Sequence, residues 1–237
     1  MTANPSREAI VLRRLENGLA GHLPGRRRRM PENPRGSLSA VALVCSLKRS
    51  PAPSSSELMA EHVCENLRDA GVKTESLRLV DYAILPGVEA DMGDGDERPK
   101  IRQRILDSDI LVLSTPVWVG HPSSVAQRVL ERLDAELSNT DDAGRPVMVG
   151  KVAIVAVVGN EDGAHKIIAD MFQGLNDIGF SIPAQGSTYW NGEAMQTKDY
   201  KELDEVSEPV AKTTASAARN AAFLAGVLRD RQYPPYQ

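Results

Sequence analysis

Ala40-Val41-Ala42-Leu43-Val44-Cys45-Ser46-Leu47, running into Lys48-Arg49-Ser50-Pro51-Ala52-Pro53-Ser54-Ser55-Ser56, decides how the rest of the chain is read. A near-continuous apolar run marks a strand buried on both faces, as in parallel sheets covered by helices. Ser54 and Glu57 then stand at capping-box spacing, and Met59, Val63, Leu67 and Ala70 recur at helical intervals until Gly71. Strand, hydroxyl-rich loop and helix start in that order form a unit that open α/β sheets use for phosphate, because free amides and the helix dipole favour an anion there. A Ser/Pro turn that merely caps a helix has the same composition, and this loop alone does not separate the two readings.

The unit recurs. Asp109-Ile110-Leu111-Val112-Leu113-Ser114-Thr115 is a second buried strand, ending in Pro116-Val117-Trp118-Val119-Gly120-His121-Pro122-Ser123-Ser124. Ser124 and Gln127 fit a capping box, and Val125, Val129, Leu133 and Leu137 give the following helix its buried stripe. The most apolar strand, Val152 to Val158, leads into Gly159-Asn160-Glu161-Asp162-Gly163 and a helix through Ile167, Ile168, Met171 and Leu175. Lys73 to Val80 alternates as an edge strand does, and Ser181-Ile182-Pro183-Ala184 is expected at the other edge because Pro183 cannot donate to a ladder. Ile101, Ile105 and Leu106 mark a short helix, and an Ala-rich helix spans about Pro209 to Arg229. Alternating strands and helices predict an α/β fold: a doubly wound, five-stranded parallel sheet in the order 2-1-3-4-5 with right-handed crossovers. Its switch point lies between the first and third strands, so loops 46–56 and 115–124 flank one crevice.

At 237 residues and 41% hydrophobic content the chain can build a sizeable core, and one domain is visible, over residues 39–237. Residues 1–38 hold eight Arg and three Glu with four Pro, which reads as a basic arm. Its two readings are a solvated extension and a contact to a polyanion or a partner subunit; Met30 offers a second candidate start. The rest of the chain sums to −9 within a total of −4, which argues against a nucleic-acid groove. No run approaches the roughly 18 apolar residues of a membrane span, and the N-terminus lacks a secretory apolar core, so a cytoplasmic protein is expected. Cys45 and Cys64 have no metal or redox spacing and read as core residues. Asp91, Asp94, Asp96 and Glu97 lack the EF-hand order and read as a solvated acidic loop.

In the first loop the hydroxyls of Ser46, Ser54, Ser55 and Ser56 and the charge of Lys48 or Arg49 suit a phosphate, and no nucleophile–base pair is present. Gly-Lys-Ser/Thr and G-x-G-x-x-G are both missing, which disfavours ATP and a tightly held dinucleotide. Thr115, Pro116, Val117, Trp118, Val119 and Gly120 offer rigid backbone and an aromatic face to a planar heterocycle, with Trp118 covering or bordering it. Residues 159–163 bring backbone to the other edge, the glycines permitting close approach. Tyr189 and Trp190 suit the same pocket, an interface or the core. His121 and His165 lack partners at metal-ligand spacing.

Ser46-x-Lys48 with Ser54-Ser55-Ser56, Thr115-Pro116-x-Trp118-x-Gly120-x-Pro122-Ser123 and Gly159-Asn160 together resemble the flavodoxin-like NAD(P)H-dependent FMN reductase family, over roughly residues 39–230. The resemblance implies FMN as cofactor and NAD(P)H as co-substrate. It places the phosphate at Ser46, Lys48, Ser54, Ser55 and Ser56, and the ring at residues 115–120 and at Gly159, Asn160, Glu161, Asp162 and Gly163. Many relatives begin the first loop with Gly-Ser and carry Arg where Lys48 stands; here Cys45 precedes Ser46 and the loop holds two prolines. The expected reaction passes a hydride from NAD(P)H through FMN to a flavin, quinone or similar small acceptor, with no catalytic side chain. The alternatives are an electron-transfer carrier without NAD(P)H activity and a cofactor-free interaction protein. By the same resemblance a homodimer or homotetramer is expected.

Overall fold

The computed structural model describes residues 36–193 and 198–236, so the basic arm expected over 1–38 lies outside the described residues except for its last three positions. The first strand, β1 (Ser39–Val44), has β2 (Lys73–Arg78) on one side and β3 (Ile110–Trp118) on the other. Beyond β3 come β5 (Val152–Gly159) and β6 (Ser187–Asn191), all parallel, giving the order β2-β1-β3-β5-β6. Among these five the order is the expected 2-1-3-4-5. A sixth strand, β4 (His121–Pro122), departs from the five-strand expectation: it folds back antiparallel onto the end of β3, pairing Val117 with Pro122 and Trp118 with His121.

The three central strands are apolar on both faces because helices cover both. Val41, Leu43, Leu111, Leu113, Val155 and Val157 face α2 (Arg98–Leu106), α3 (Ser124–Leu133) and α4 (Ala164–Ile178). Ala42, Val44, Ile110, Val112, Ile154 and Ala156 face α1 (Ser55–Asp69) and α5 (Glu208–Asp230). Small residues on the second face let α1 and α5 lie close to the sheet. Cys45 and Cys64 are free, buried members of these clusters.

Four local expectations are corrected. The edge strand is Ser187–Asn191 and not residues 181–184. Ser181 makes one bridge to Val152, Pro183 interrupts the ladder, and pairing resumes where Val155 N donates to Gly186 O at 3.1 Å. Helix α3 is capped by Ser123, whose hydroxyl accepts from Ala126 N at 3.1 Å; Ser124 is already helical. Leu137 is exposed, because α3 tightens into a 3-10 turn after Leu133 and turns Glu136 inward instead. The acidic loop is not wholly solvated: the Asp96 carboxylate is fully buried against Arg132 at 2.6 Å. Beside it the buried Glu136 pairs with Arg98 and with Arg102 at 2.9 Å. Each buried carboxylate is paired, as burial demands, with Arg98 and Arg102 sharing Glu136.

Candidate functional site

A cleft of about 420 Å³ opens at the carboxyl ends of β1, β3 and β5. Its first wall is the loop after β1 with the start of α1, where Ser46, Lys48, Ser54, Ser55 and Ser56 all line it. Ser54 caps α1 by accepting from Glu57 N, and its hydroxyl bonds that of Ser56 at 3.1 Å. Ser46 Oγ accepts from Lys48 N at 3.1 Å. The buried Ser114 hydroxyl of β3 donates to Ser56 O at 2.6 Å, fixing the helix start against the sheet.

Edge strand β2 clamps this loop from outside. Arg78, its side chain 4% exposed, donates to the carbonyls of Lys48 and Ala52 and to the Glu57 carboxylate. Asp81 accepts from the amide and the hydroxyl of Ser50 at 3.0 and 2.6 Å. Loop 46–54 is therefore held in shape by groups that stand outside the cleft.

Pro116, Val117 and Trp118 form the second wall, with Trp118 half exposed at the end of β3. Thr115 does not line the cleft: its side chain is buried and accepts from Ser123 N at 3.1 Å, tying β3 to the cap of α3. Val119 (φ 53°) and Gly120 (φ 68°) are the two central residues of the β3–β4 hairpin turn, and they too stand outside the lining.

The third wall is Gly159, Asn160 and Glu161. A Cβ at Gly159 would stand 2.6 Å from Val117 Cβ, so only glycine lets β5 and β3 meet here. Glu161 Oε1 accepts from Val119 N at 2.6 Å and joins the second and third loops. Asp162 and Gly163 lie outside the lining, where Gly163 (φ 135°) packs directly on Gly120.

Of a fourth wall the sequence offered only Trp190, with the pocket as one of its readings. Trp190, Asp199, Tyr200 and Lys201 line the cleft from β6 and the 3-10 turn Tyr200–Glu202. Trp190 packs on Tyr200 with ring centroids 5.6 Å apart, and Tyr200 hydroxyl bonds His62 Nδ1 at 2.8 Å. Burial pushes the Tyr200 phenol up to about 12, so it stays protonated. Asp199 Oδ1 accepts from Asn160 Nδ2 at 2.7 Å, and its other oxygen pairs with Lys201. One signal was present in the sequence: Asp199 and Glu202 form a capping box. Tyr189 turns away from the cleft to stack edge-on with His165 at 4.9 Å, and His121 Nδ1 contacts Val119 O at 2.7 Å.

Parallel strands in this order, with a cleft at the switch point, define a doubly wound α/β protein of the flavodoxin type. Residues 38–195 match the NADPH-dependent FMN reductase family, and the chain belongs to it. It is 30% identical over 167 residues to the 8-demethyl-8-aminoriboflavin-5'-phosphate synthase of Streptomyces davaonensis, covering 67% of this chain and 65% of that protein. It is 37% identical over 161 residues to a protein of Mycobacterium bovis named divalent metal cation transporter MntH, covering 66% of this chain and 24% of that protein. The matches thus span about a quarter and about two thirds of these relatives' own lengths. Among the described residues no helix is long and apolar enough to cross a membrane. The crystal structure of RosB with bound 8-demethyl-8-formylriboflavin-5'-phosphate superimposes with a TM-score of 0.74 at 26% identity, over 83% of this chain and 82% of that one. An NADH:FMN oxidoreductase, EmoB, shares the fold at a TM-score of 0.59 and 14% identity, over 79% and 89% of the two chains.

Proposed function

We propose that this cleft binds FMN and that the protein is an FMN-dependent NAD(P)H oxidoreductase acting on a small acceptor. The observation that carries the reading is the polarity of one cleft. Serine hydroxyls and the amino end of α1 gather at one end, and Trp118 with the Gly159–Asn160 backbone stands at the other. That donor set fits a phosphate joined to a flat heterocycle. Ser46, Lys48, Ser54, Ser55 and Ser56 would hold the phosphate, while Pro116, Val117, Trp118, Gly159, Asn160 and Glu161 would border the ring. Thr115, Val119, Gly120, Asp162 and Gly163 support these walls from behind. Bound FMN would supply the hydride chemistry between a nicotinamide and the acceptor. The chain's own residues would bind and orient it, and the hydride step needs no side chain as acid or base.

A second reading is favoured by the likeness to the synthase and to RosB, whose names concern modified riboflavin phosphates. In it a flavin phosphate is substrate rather than cofactor. The purified protein is mixed with FMN, and its visible spectrum, NAD(P)H oxidation with quinone and flavin acceptors, and the mass of recovered flavin are recorded. Acceptor-dependent NAD(P)H oxidation with unchanged flavin mass supports the oxidoreductase; an altered flavin mass supports the second reading. Flavin binding with no turnover in the absence of a protein partner would point to an electron carrier. Failure to take up FMN at all would sink all of these.

A further inference from the structure

We infer that Lys201, on the segment after β6, is a phosphate-reading residue of the cleft and makes it select phosphorylated over unphosphorylated flavin. This deepens the flavin reading above and rests on it. Lys201 stands in the lining with Ser54, Ser55 and Ser56, and its amide donates to Ser55 Oγ at 3.3 Å, which pins residue 201 beside the first residues of α1. Its side chain is 23% exposed and pairs with Asp199 and, at 3.5 Å, with Glu202.

The position runs against the ordinary logic of helices. A helix amino end carries partial positive charge and favours acids, yet the cleft beside this one is lined by two lysines, Lys48 and Lys201. The acid of its first turn, Glu57, is drawn outward by Arg78. Asp199 is the compensating anion. The hydrogen bond from Lys201 is the largest influence holding its carboxyl below the usual range, with Asn160 and the charges of Lys201 and Lys48 adding to it. A phosphate at the serine hydroxyls would share its cleft with both lysines, and the Asp199–Lys201 pair holds the second one in place beforehand. Because Asp199 also holds Asn160, the same residue links the phosphate end to the third wall.

The competing explanation is that Lys201 only neutralises Asp199 and Glu202 within their turn. Fluorescence titrations with FMN and with riboflavin separate the two for wild type, Lys201→Gln and Lys201→Arg. Phosphate reading requires that Lys201→Gln weaken FMN about tenfold or more, the worth of one charge-assisted hydrogen bond. Riboflavin affinity should stay within about twofold, and Lys201→Arg should restore most of the FMN preference. Equal losses for both ligands, or no loss for either, would overturn the assignment while leaving FMN binding by the wild type intact. Wild-type protein that binds neither ligand would instead overturn the flavin reading, and this assignment with it.

Discussion

Arg78 Nη1 donates to the carbonyl oxygen of Ala52 at 2.7 Å, reaching from the end of the edge strand into the middle of the first loop. The same guanidinium takes the Lys48 carbonyl and both oxygens of Glu57, so one buried side chain sets the spacing between the loop and the start of α1. Arg78→Met should cost about 2 to 3 kcal/mol. Most of that is the loss of hydrogen bonds from a charged donor, because the Glu57 carboxylate is 44% exposed and its ion-pair contribution is screened. Arg78→Lys should recover only part of it, since a single ammonium cannot span all three partners. Urea unfolding measures the stability. FMN titration of the folded variants should show a weaker ligand as well, and unchanged affinity would mean that the loop keeps its shape without the clamp.

Much of this arrangement was open to reading from residues alone. Apolar runs at 40–45, 110–113 and 152–158 placed the three central strands, and the polar loops after them placed three of the four walls. Capping at Ser54 was local chemistry and therefore visible. The outer strand was displaced because Ser187–Asn191 pairs on one side only and carries mixed side chains that no two-residue period marks. Lys201 and Arg78 are hidden in the sequence for another reason: charged residues read as solvated until a partner 146 or 26 positions away is known. The Asp96–Arg132 pair is hidden on the same ground.

Val119 occupies the left-handed region at φ 53° and is 83% exposed. A β-branched residue pays for that conformation without recovering packing, at about 1 to 2 kcal/mol. Val119→Asn, which tolerates positive φ, should therefore stabilise the protein by about 1 kcal/mol and raise its melting midpoint by about 2 to 4 °C. Scanning calorimetry gives the answer directly; a lower midpoint would show that Val119 makes an apolar contact worth more than the strain.

At Gly163 an added methyl would stand 2.8 Å from Gly120 Cα and 3.1 Å from Gly120 O, in a backbone at φ 135°. Neither neighbour is a flexible side chain, so the second and third loops must separate. Gly163→Ala is expected to lose at least about 1 kcal/mol of stability and to strain the Val119–Glu161 hydrogen bond that joins the same loops. Urea unfolding with FMN titration would report both effects, and a variant as stable as wild type with full affinity would refute the close contact.

Asp96 gives a prediction in pH. Burial pushes its carboxyl up, but Arg132 at 2.6 Å and the amides of Met92, Arg98 and Leu85 together outweigh that and leave it well below the usual carboxylate range. A group whose pKa is lower in the folded state than in the unfolded one contributes stability that is complete above the unfolded value, about 3.9, and is lost as pH falls toward the folded value. Replacing Asp96 by Asn removes this titration and leaves the Arg132 charge without its carboxylate, at a cost of about 3 kcal/mol near neutrality. The gap in unfolding free energy between wild type and Asp96→Asn should thus be widest at pH 7, hold to about pH 5, and narrow steadily below about pH 4. Urea titrations at a series of pH values read that gap. If it stays constant down to pH 3, the carboxylate is not the group that ties loop 82–98 to α3, and the buried hydrogen bonds of Arg132 to the carbonyls of Leu85 and Glu89 would have to do so alone.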